Sequence, residues 1–547
     1  MPDDVQTAQF NAYAYPLLIK QLLHTAFSQA QDQEIVYRGQ VRMTYATLRE
    51  RIAQLANGLS QHGVRHGTTV AVMDWDSHRY LESYFAVPMM GAVLQTVNVR
   101  LSPAEIAWTI NHAGAEVLLV HTDFIPVVES IKDQLEKVRT FIWIDEPGSE
   151  APAHGIAFAN EYEAMLAASG TTYAFPDFDE NTRATTFYTT GTTGLPKGVY
   201  FTHRQLVLHT ITLMAALASP VSGQRVHRGD VYMPLTPMFH VHAWGMPYIA
   251  TLMGLKQVYP GRYVPERLVQ LVEDEGVTFS HCVGTILHML LTCPQGKAAD
   301  FSKWKVIIGG SALPQGLAKA AIARGIDVFV GYGMSETCPV LSLAQLPPGA
   351  EDLDADEQVR LRCKTGFPVP LVELRVVDEN MDDCPRDGQA TGEIVVRAPW
   401  LTQGYLNNRQ ASAQLWAGGY LHTQDIASID PTGNVQITDR LKDVIKSGGE
   451  WISSVEVESL ISQHEGVSEV AVIGIKDEKW GERPVALVVL KDGAAGTEDD
   501  IKRHVLAFSE TGKISKYAVP QAVKFVDALA KTSVGKINKK GLREQFA

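Results

Sequence analysis

The sequence predicts an α/β protein in two parts: a large N-terminal domain of helix-covered sheets with a β-rich subdomain, and a small α+β C-terminal domain. Three observations predict it. Helix-period and strand-like segments alternate through the first third and again over 304–330, which implies parallel sheets covered by helices. Over 373–397 the pattern turns strand-rich, with turn signals at Asp382-Asp383 and Asp387-Gly388. After Arg440 it changes to a compact mixture of strand and helix, so the boundary is placed at 440–443, dividing 1–440 from 441–547.

The elements follow in order. Residues 16–27 form an amphipathic helical stretch, too short and interrupted to span a bilayer. Over 45–62, Leu48, Ile52, Leu55, Ala56 and Leu59 share one helical face, and Gly63 suits the C-terminal cap. Residues 69–73 read as a buried strand. Ser102, Pro103 and Glu105 supply an N-cap, a proline at the first helical position and the reciprocal capping glutamate, so a helix starts there. Short apolar strands are expected at 116–120 and 140–144, and a polar, Gly-containing stretch at 151–179. Residues 184–188 read as a buried strand and 202–218 as a helix, with Thr202 and Gln205 placed as a capping box. Strands follow at 304–309 and 327–330. The C-terminal part holds a helix at 454–464 and strands at 469–475, 485–490 and 522–526.

Composition sets outer limits. The chain has 547 residues, 45% hydrophobic and 20% charged, ordinary for a globular protein with a large core. Its formal net charge of −13 argues against non-specific binding of nucleic acid or acidic membranes. The five cysteines are scattered without a CxxC pair, which indicates neither a disulfide framework nor a zinc site and fits a reducing cytoplasm. No secretory leader or integral membrane segment is expected.

The most telling stretch is Tyr188-Thr189-Thr190-Gly191-Thr192-Thr193-Gly194-Leu195-Pro196-Lys197-Gly198-Val199. A strand, a Gly/Thr loop and a helix together suit a phosphate. Glycine lets backbone N–H groups approach the anion, hydroxyls donate further hydrogen bonds, and lysine adds charge. The spacing is not that of a Walker A loop, because Lys197 stands between Pro196 and Gly198. Taken whole, the run resembles the phosphate loop of the adenylate-forming superfamily: acyl-CoA synthetases, peptide-synthetase adenylation domains and beetle luciferases. The resemblance implies ATP/AMP contacts from Thr189, Thr190, Gly191, Thr192, Thr193, Gly194 and Lys197.

Six further segments fall in that family's order and together cover nearly the whole chain. Pro237-Met238-Phe239-His240-Val241-His242-Ala243-Trp244-Gly245 is similar to the segment of bacterial medium- and long-chain fatty acyl-CoA synthetases in which His240 would lie beside the substrate carboxylate and Trp244 would gate the acyl tunnel. His242 stands where Asn is frequent and receives no role. The resemblance places Val241, Val283, Gly284, Gly309 and Met334 around the acyl chain, and Gly310 and Ser311 at the nucleotide. In Gly331-Tyr332-Gly333-Met334-Ser335-Glu336-Thr337, an aromatic between glycines offers adenine a stacking face and Glu336 a hard oxygen for Mg2+. The family has the metal held by this glutamate with help from the residue matching Thr189, and Ser335 keeps the usual hydroxyl.

Asp425 matches a ribose-binding aspartate, although Gln424 replaces the usual glycine before it. Arg440 is implied at the ribose and Lys442 at a hinge. Lys446, Gly448, Gly449 and Trp451 are implied at the CoA channel, and Lys536 as the catalytic lysine of a mobile C-terminal domain.

These residues imply an AMP-forming fatty acyl-CoA ligase using Mg2+, ATP, CoA and a carboxylic acid, for which a homodimer is open. Alternatives kept are the same adenylation with another acceptor, a short-chain, sulfur-containing or aryl acid:CoA ligase, and an inactive nucleotide-binding regulatory homologue.

Overall fold

A computed structural model describes residues 12–146, 148, 152–189, 195–221, 223–447, 450–511, 514–532 and 535–546. Four sheets organise it, and the second takes its first two strands from ahead of the first in sequence. The seven-stranded sheet has the order Phe158–Glu161, Thr140–Ile144, Ala115–His121, Thr69–Met73, Val93–Thr96, Arg183–Tyr188, Gly198–Thr202. Every neighbouring pair is parallel except the last, which is antiparallel. Thr69–Met73 is buried along its whole length, as a strand covered by helices on both faces must be.

The nine-stranded sheet has a parallel centre: Asp327–Gly333, Lys305–Ile308, Phe279–Cys282, Val231–Leu235, Lys256–Tyr259 and Glu34–Tyr37. Antiparallel strands close both ends, Val41–Thr44 at one and Val340–Leu343 with Phe367–Pro368 at the other. A four-stranded antiparallel sheet follows, Glu373–Val377, Gly392–Arg397, Leu421–Ile429 and Val435–Arg440. The last sheet joins Glu450–Ile452, Ile445–Ser447, Gly481–Leu490 and Val467–Asp477, with Ala522–Phe525 parallel beside Gly481–Leu490. Its apolar clusters draw only on residues after 444, including Ile445, Val457, Ile473, Ile501 and Leu542.

Several helices start where the sequence says. Ser102 and Glu105 make the reciprocal capping box of Pro103–Ala113, and Thr202 and Gln205 that of His203–Ala218. Tyr45–Gln61 buries Leu48, Ile52, Leu55, Ala56 and Leu59, and Gly63 follows at φ 83°. Three expectations need correction. The Gly/Thr loop does not run into a helix: the strand Gly198–Thr202 intervenes, because Val199-Tyr200-Phe201 pairs back on Arg183–Tyr188 and makes the loop a hairpin connection. The stretch 151–179 contains a strand, Phe158–Glu161, and a helix, Tyr162–Ala167, whose first amides are taken by the Glu161 carboxylate. The first helical stretch splits into a 3-10 turn, Ile19–Leu23, and a short helix, His24–Gln29. Among the described residues no helix is long and apolar enough to cross a membrane.

Candidate active site

Lys536 sits on a tight turn in which Thr532 N–H donates to the Lys536 carbonyl at 2.7 Å and Lys536 N–H to Thr532 Oγ1 at 3.2 Å. The turn is anchored to the N-terminal part of the chain, because the Thr285 hydroxyl donates to the Gly535 carbonyl at 2.8 Å. The lysine side chain then passes over Gly310. A Cβ built there would lie 2.6 Å from Lys536 Cε, 3.1 Å from its Nζ and 3.3 Å from Val283 Cγ1, and Gly310 has φ 79°. Only glycine meets both conditions. Burial, first, and the Arg440 guanidinium lower the Lys536 ammonium to about 8, against the pull of Asp425 and Glu336.

Asp425 is 4% exposed and accepts the Tyr332 hydroxyl at 2.8 Å, with Arg440 Nε 3.2 Å from its other oxygen. Tyr332 is thus a buried partner of Asp425. Gln424 stands where the resemblance leads one to expect glycine, and its backbone behaves as glycine's would. It takes φ 59°, the left-handed conformation in which glycine is ordinary, and its carbonyl accepts Leu441 N–H at 3.0 Å.

Glu336 is 6% exposed, and its Oε1 accepts the Tyr405 hydroxyl at 2.6 Å. Burial raises its carboxyl, opposed by Tyr405, Lys197 and Arg440. The Lys197 ammonium lies 4.7 Å above the Tyr405 ring, while Lys197 N–H donates to Thr189 Oγ1 at 3.2 Å. Tyr405 therefore ties the loop lysine to the buried carboxylate. Sequence reasoning missed it, although Gly404-Tyr405 after the apolar pair Trp400-Leu401 had the same glycine–aromatic character as Gly331-Tyr332. Thr190, Gly191, Thr192, Thr193 and Gly194 lie outside the described residues. Among the described residues no cluster of three or more His, Cys, Asp or Glu could hold a metal by itself. A single buried carboxylate beside the Tyr405 hydroxyl suits a magnesium ion, which takes few protein ligands and keeps water and phosphate oxygens.

His240 is fixed through the backbone before it. Asp76 Oδ1 accepts Met238 N–H at 2.7 Å, Tyr84 OH donates to the Met238 carbonyl, and Thr96 Oγ1 donates to the Phe239 carbonyl at 2.9 Å. Burial, then Lys536 and Arg100, hold the imidazole at about 3, so it is neutral at pH 7. The next four residues, Val241, His242, Ala243 and Trp244, have φ of 47°, 55°, 47° and 58°, a left-handed turn ending at Gly245. L-residues there cost roughly 1–2 kcal/mol each, and such strain persists where the surroundings impose it. The turn delivers Trp244 onto Gly309, where a Cβ would lie 2.7 Å from Trp244 Cη2, with His281 at 5.0 Å between ring centroids. His242 is fully buried among Tyr84, Phe187, Phe201 and Tyr248.

The fold thus gathers Lys536, Gly310 and Val283 at one point, Asp425, Tyr332 and Arg440 at another, and Trp244 with Gly309 at a third. Gly284 opens the helix Gly284–Thr292 beside Val283, Gly331 and Gly333 close the strand Asp327–Gly333, Met334 and Ser335 are half-buried just after it, and Ser311 is exposed. The channel residues are gathered less clearly. Lys446 is exposed and its N–H donates to Glu482 Oε2 at 2.9 Å. Gly448 and Gly449 lie outside the described residues, as does the side chain of Trp451. Lys442 is exposed on the turn between the last two sheets.

Residues 23–406 match the AMP-binding enzyme family and residues 456–536 the AMP-binding enzyme C-terminal domain. A long-chain-fatty-acid–CoA ligase of Thermus thermophilus is 42% identical over 521 residues, covering 94% of this chain and 93% of that protein. A 3-methylmercaptopropionyl-CoA ligase of Ruegeria lacuscaerulensis is 37% identical over 539 residues, covering 97% of each. Among solved structures, an anthranilate CoA ligase in complex with anthranoyl-AMP superposes with a TM-score of 0.84 at 25% identity, covering 97% of this chain and 98% of that one. With both parts of the family's sequence matched and its fold reproduced from end to end, this chain belongs to the AMP-binding enzyme family of adenylate-forming acyl-CoA ligases.

Proposed function

We propose that the chain activates a medium- or long-chain fatty acid with ATP and transfers the acyl group to CoA. The observation that carries the reading is Lys536, drawn over Gly310 into the company of Asp425, Glu336 and the neutral His240. In the first step a carboxylate oxygen attacks the α-phosphorus and the bond to pyrophosphate breaks. Two anions must meet, so the site has to supply positive charge and directed donors. Lys536 and Lys197 bring the charge, and Thr189 a hydroxyl. Asp425 and Arg440 take the ribose. The neutral His240 can orient the acid with one N–H without trapping it as an ion pair. Magnesium, held by Glu336 with Thr189, would neutralise phosphate charge.

In the second step the CoA sulfur attacks the acyl carbon, the bond to AMP breaks, and the thiol proton passes to solvent. Lys536 stands where this access is needed, so we take 1–440 and 441–547 as domains that rotate about Lys442. The separate apolar clusters after residue 444 support that division. Gly448 and Gly449, with Lys446 and Trp451, would border the pantetheine path.

The fatty acid assignment rests on Trp244 over Gly309 and on the likeness to the long-chain-fatty-acid–CoA ligase. A second reading, a short sulfur-containing acid, is favoured by the 3-methylmercaptopropionyl-CoA ligase likeness. Pyrophosphate release with CoA over straight acids from acetate to palmitate, plus benzoate, coumarate and 3-(methylthio)propionate, separates the readings. Each buried methylene is worth ~0.8 kcal/mol, so catalytic efficiency should rise roughly fourfold per carbon until the tunnel is full. A maximum at acetate, an aromatic acid or the sulfur acid would overturn the fatty acid assignment and leave adenylation standing.

A further inference from the structure

We propose that Asp439 is a positioning residue that latches the C-terminal part of the chain in the orientation that seats Lys536; this rests on the two-orientation reading above. Asp439 is the penultimate residue of the strand Val435–Arg440, on the N-terminal side of Lys442, and is 2% exposed. Across the hinge, Ser454 opens the helix Ser454–Ile461 and is wholly buried. Both the Ser454 N–H and its hydroxyl donate to Asp439 Oδ2, each at 2.6 Å. The adjacent Ser453 hydroxyl donates to the Thr438 carbonyl. Behind Ser454 stands Lys539, whose ammonium donates to Ser454 Oγ at 2.7 Å and pairs with Glu458 at 2.8 Å.

A buried carboxylate needs partners, and Asp439 draws them from beyond the hinge, with Lys539 also lowering the cost of its charge. Its remaining partner is local: Arg440 N–H donates to Oδ1 at 2.7 Å. Any rotation about Lys442 that withdraws Lys536 separates Asp439 from Ser454 and strips it of both donors. The latch therefore favours the adenylating orientation and must open before the thiol can attack. Asp443, by contrast, pairs with Arg543 at 2.6 Å on the far side of the pivot, and that contact can travel with the rotating part.

The test uses the full chain with decanoate and two substitutions, Asp439→Asn and Ser454→Ala, each checked for native folding by circular dichroism. Hydrogen bonds to a charged group are strong enough that losing them should slow adenylate formation by about tenfold or more. Thioester formation from supplied decanoyl-AMP and CoA should be unchanged or faster. The double variant should be little worse than either single one, because both weaken the same contact: Ser454→Ala removes the hydroxyl donor and leaves the N–H, and Asp439→Asn removes the charge that both donors meet. A readout independent of the reaction is tryptic cleavage at Arg440 and Lys442 in the ligand-free protein, which should quicken in both variants. Equal losses in both half-reactions, or hinge cleavage at the wild-type rate, would overturn the latch. If the wild-type protein released no pyrophosphate with any acid, the functional reading would fall, and hinge cleavage alone would decide the latch.

Discussion

At Lys536, charge and burial work against each other. Burial favours the neutral amine, so seating this side chain becomes easier as pH rises, while the positive charge proposed for it at the phosphates is lost near pH 8. Catalytic efficiency for ATP reports the free enzyme, so it should decline as pH rises through about 8, measured as pyrophosphate release at low ATP. Lys536→Ala should remove that limb and slow adenylation by roughly 10²–10³, while sparing thioester formation from supplied acyl-AMP. Equal losses in both half-reactions would refute the assigned role. Gln424 makes a separate residue-scale case. An L-residue at φ 59° carries strain of roughly 1–2 kcal/mol that glycine lacks, partly offset by glycine's greater freedom when unfolded. Gln424→Gly should raise the midpoint of thermal unfolding slightly and keep Asp425 in place. A lowered midpoint would mean that the glutamine side chain contributes more than its backbone costs.

Among the elements, the helix Gln315–Ile322 shows how closely the two parts of the chain approach. A Cβ on Gly316 would overlap the carbonyl oxygen of Ser462, just past the helix Ser454–Ile461. Backbone cannot yield as a flexible side chain can, so Gly316→Ala should push the C-terminal part away from its seat. Adenylation should fall at least tenfold, since a misplacement of about 1 Å costs on the order of 10² in rate, and thioester formation from acyl-AMP should survive. Stopped-flow measurement of the two half-reactions checks this, and wild-type rates in both would show that the approach is not needed for catalysis. The left-handed turn from Val241 to Trp244 is the converse case, because nothing in the residue types of Val-His-Ala-Trp announces positive φ. The packing of Trp244 against Gly309 and the pinning of Met238 and Phe239 impose it.

For the whole molecule, what was legible in the sequence was local. Capping boxes at Ser102 and Thr202, the apolar face of 45–61 and the change of pattern after Arg440 depend on neighbours a few residues away. The hairpin return of Gly198–Thr202 and the edge strand Phe158–Glu161 depend on partners in a sheet, and composition alone does not choose them. The site follows the same division. Glu336, Asp425 and Lys536, which the fold gathers at the candidate site, could be singled out because each stands in a distinctive segment. Tyr405, Asp76 and Asp439 owe their importance to contacts 69, 162 and 15 residues away in sequence. One feature of the nine-stranded sheet reaches beyond the finished structure into its making. Glu34–Tyr37 is an interior strand whose parallel neighbour, Lys256–Tyr259, is synthesised roughly 220 residues later, about 10–40 s at ~5–20 residues per second. Throughout that interval Ile35, Val36 and Tyr37, all buried in the native sheet, have only the hairpin partner Val41–Thr44 to pair with. The emerging chain thus carries an unpaired apolar strand edge through much of its translation, and holding that edge apart from other chains is a task for the cell's chaperones before the enzyme has a site at all.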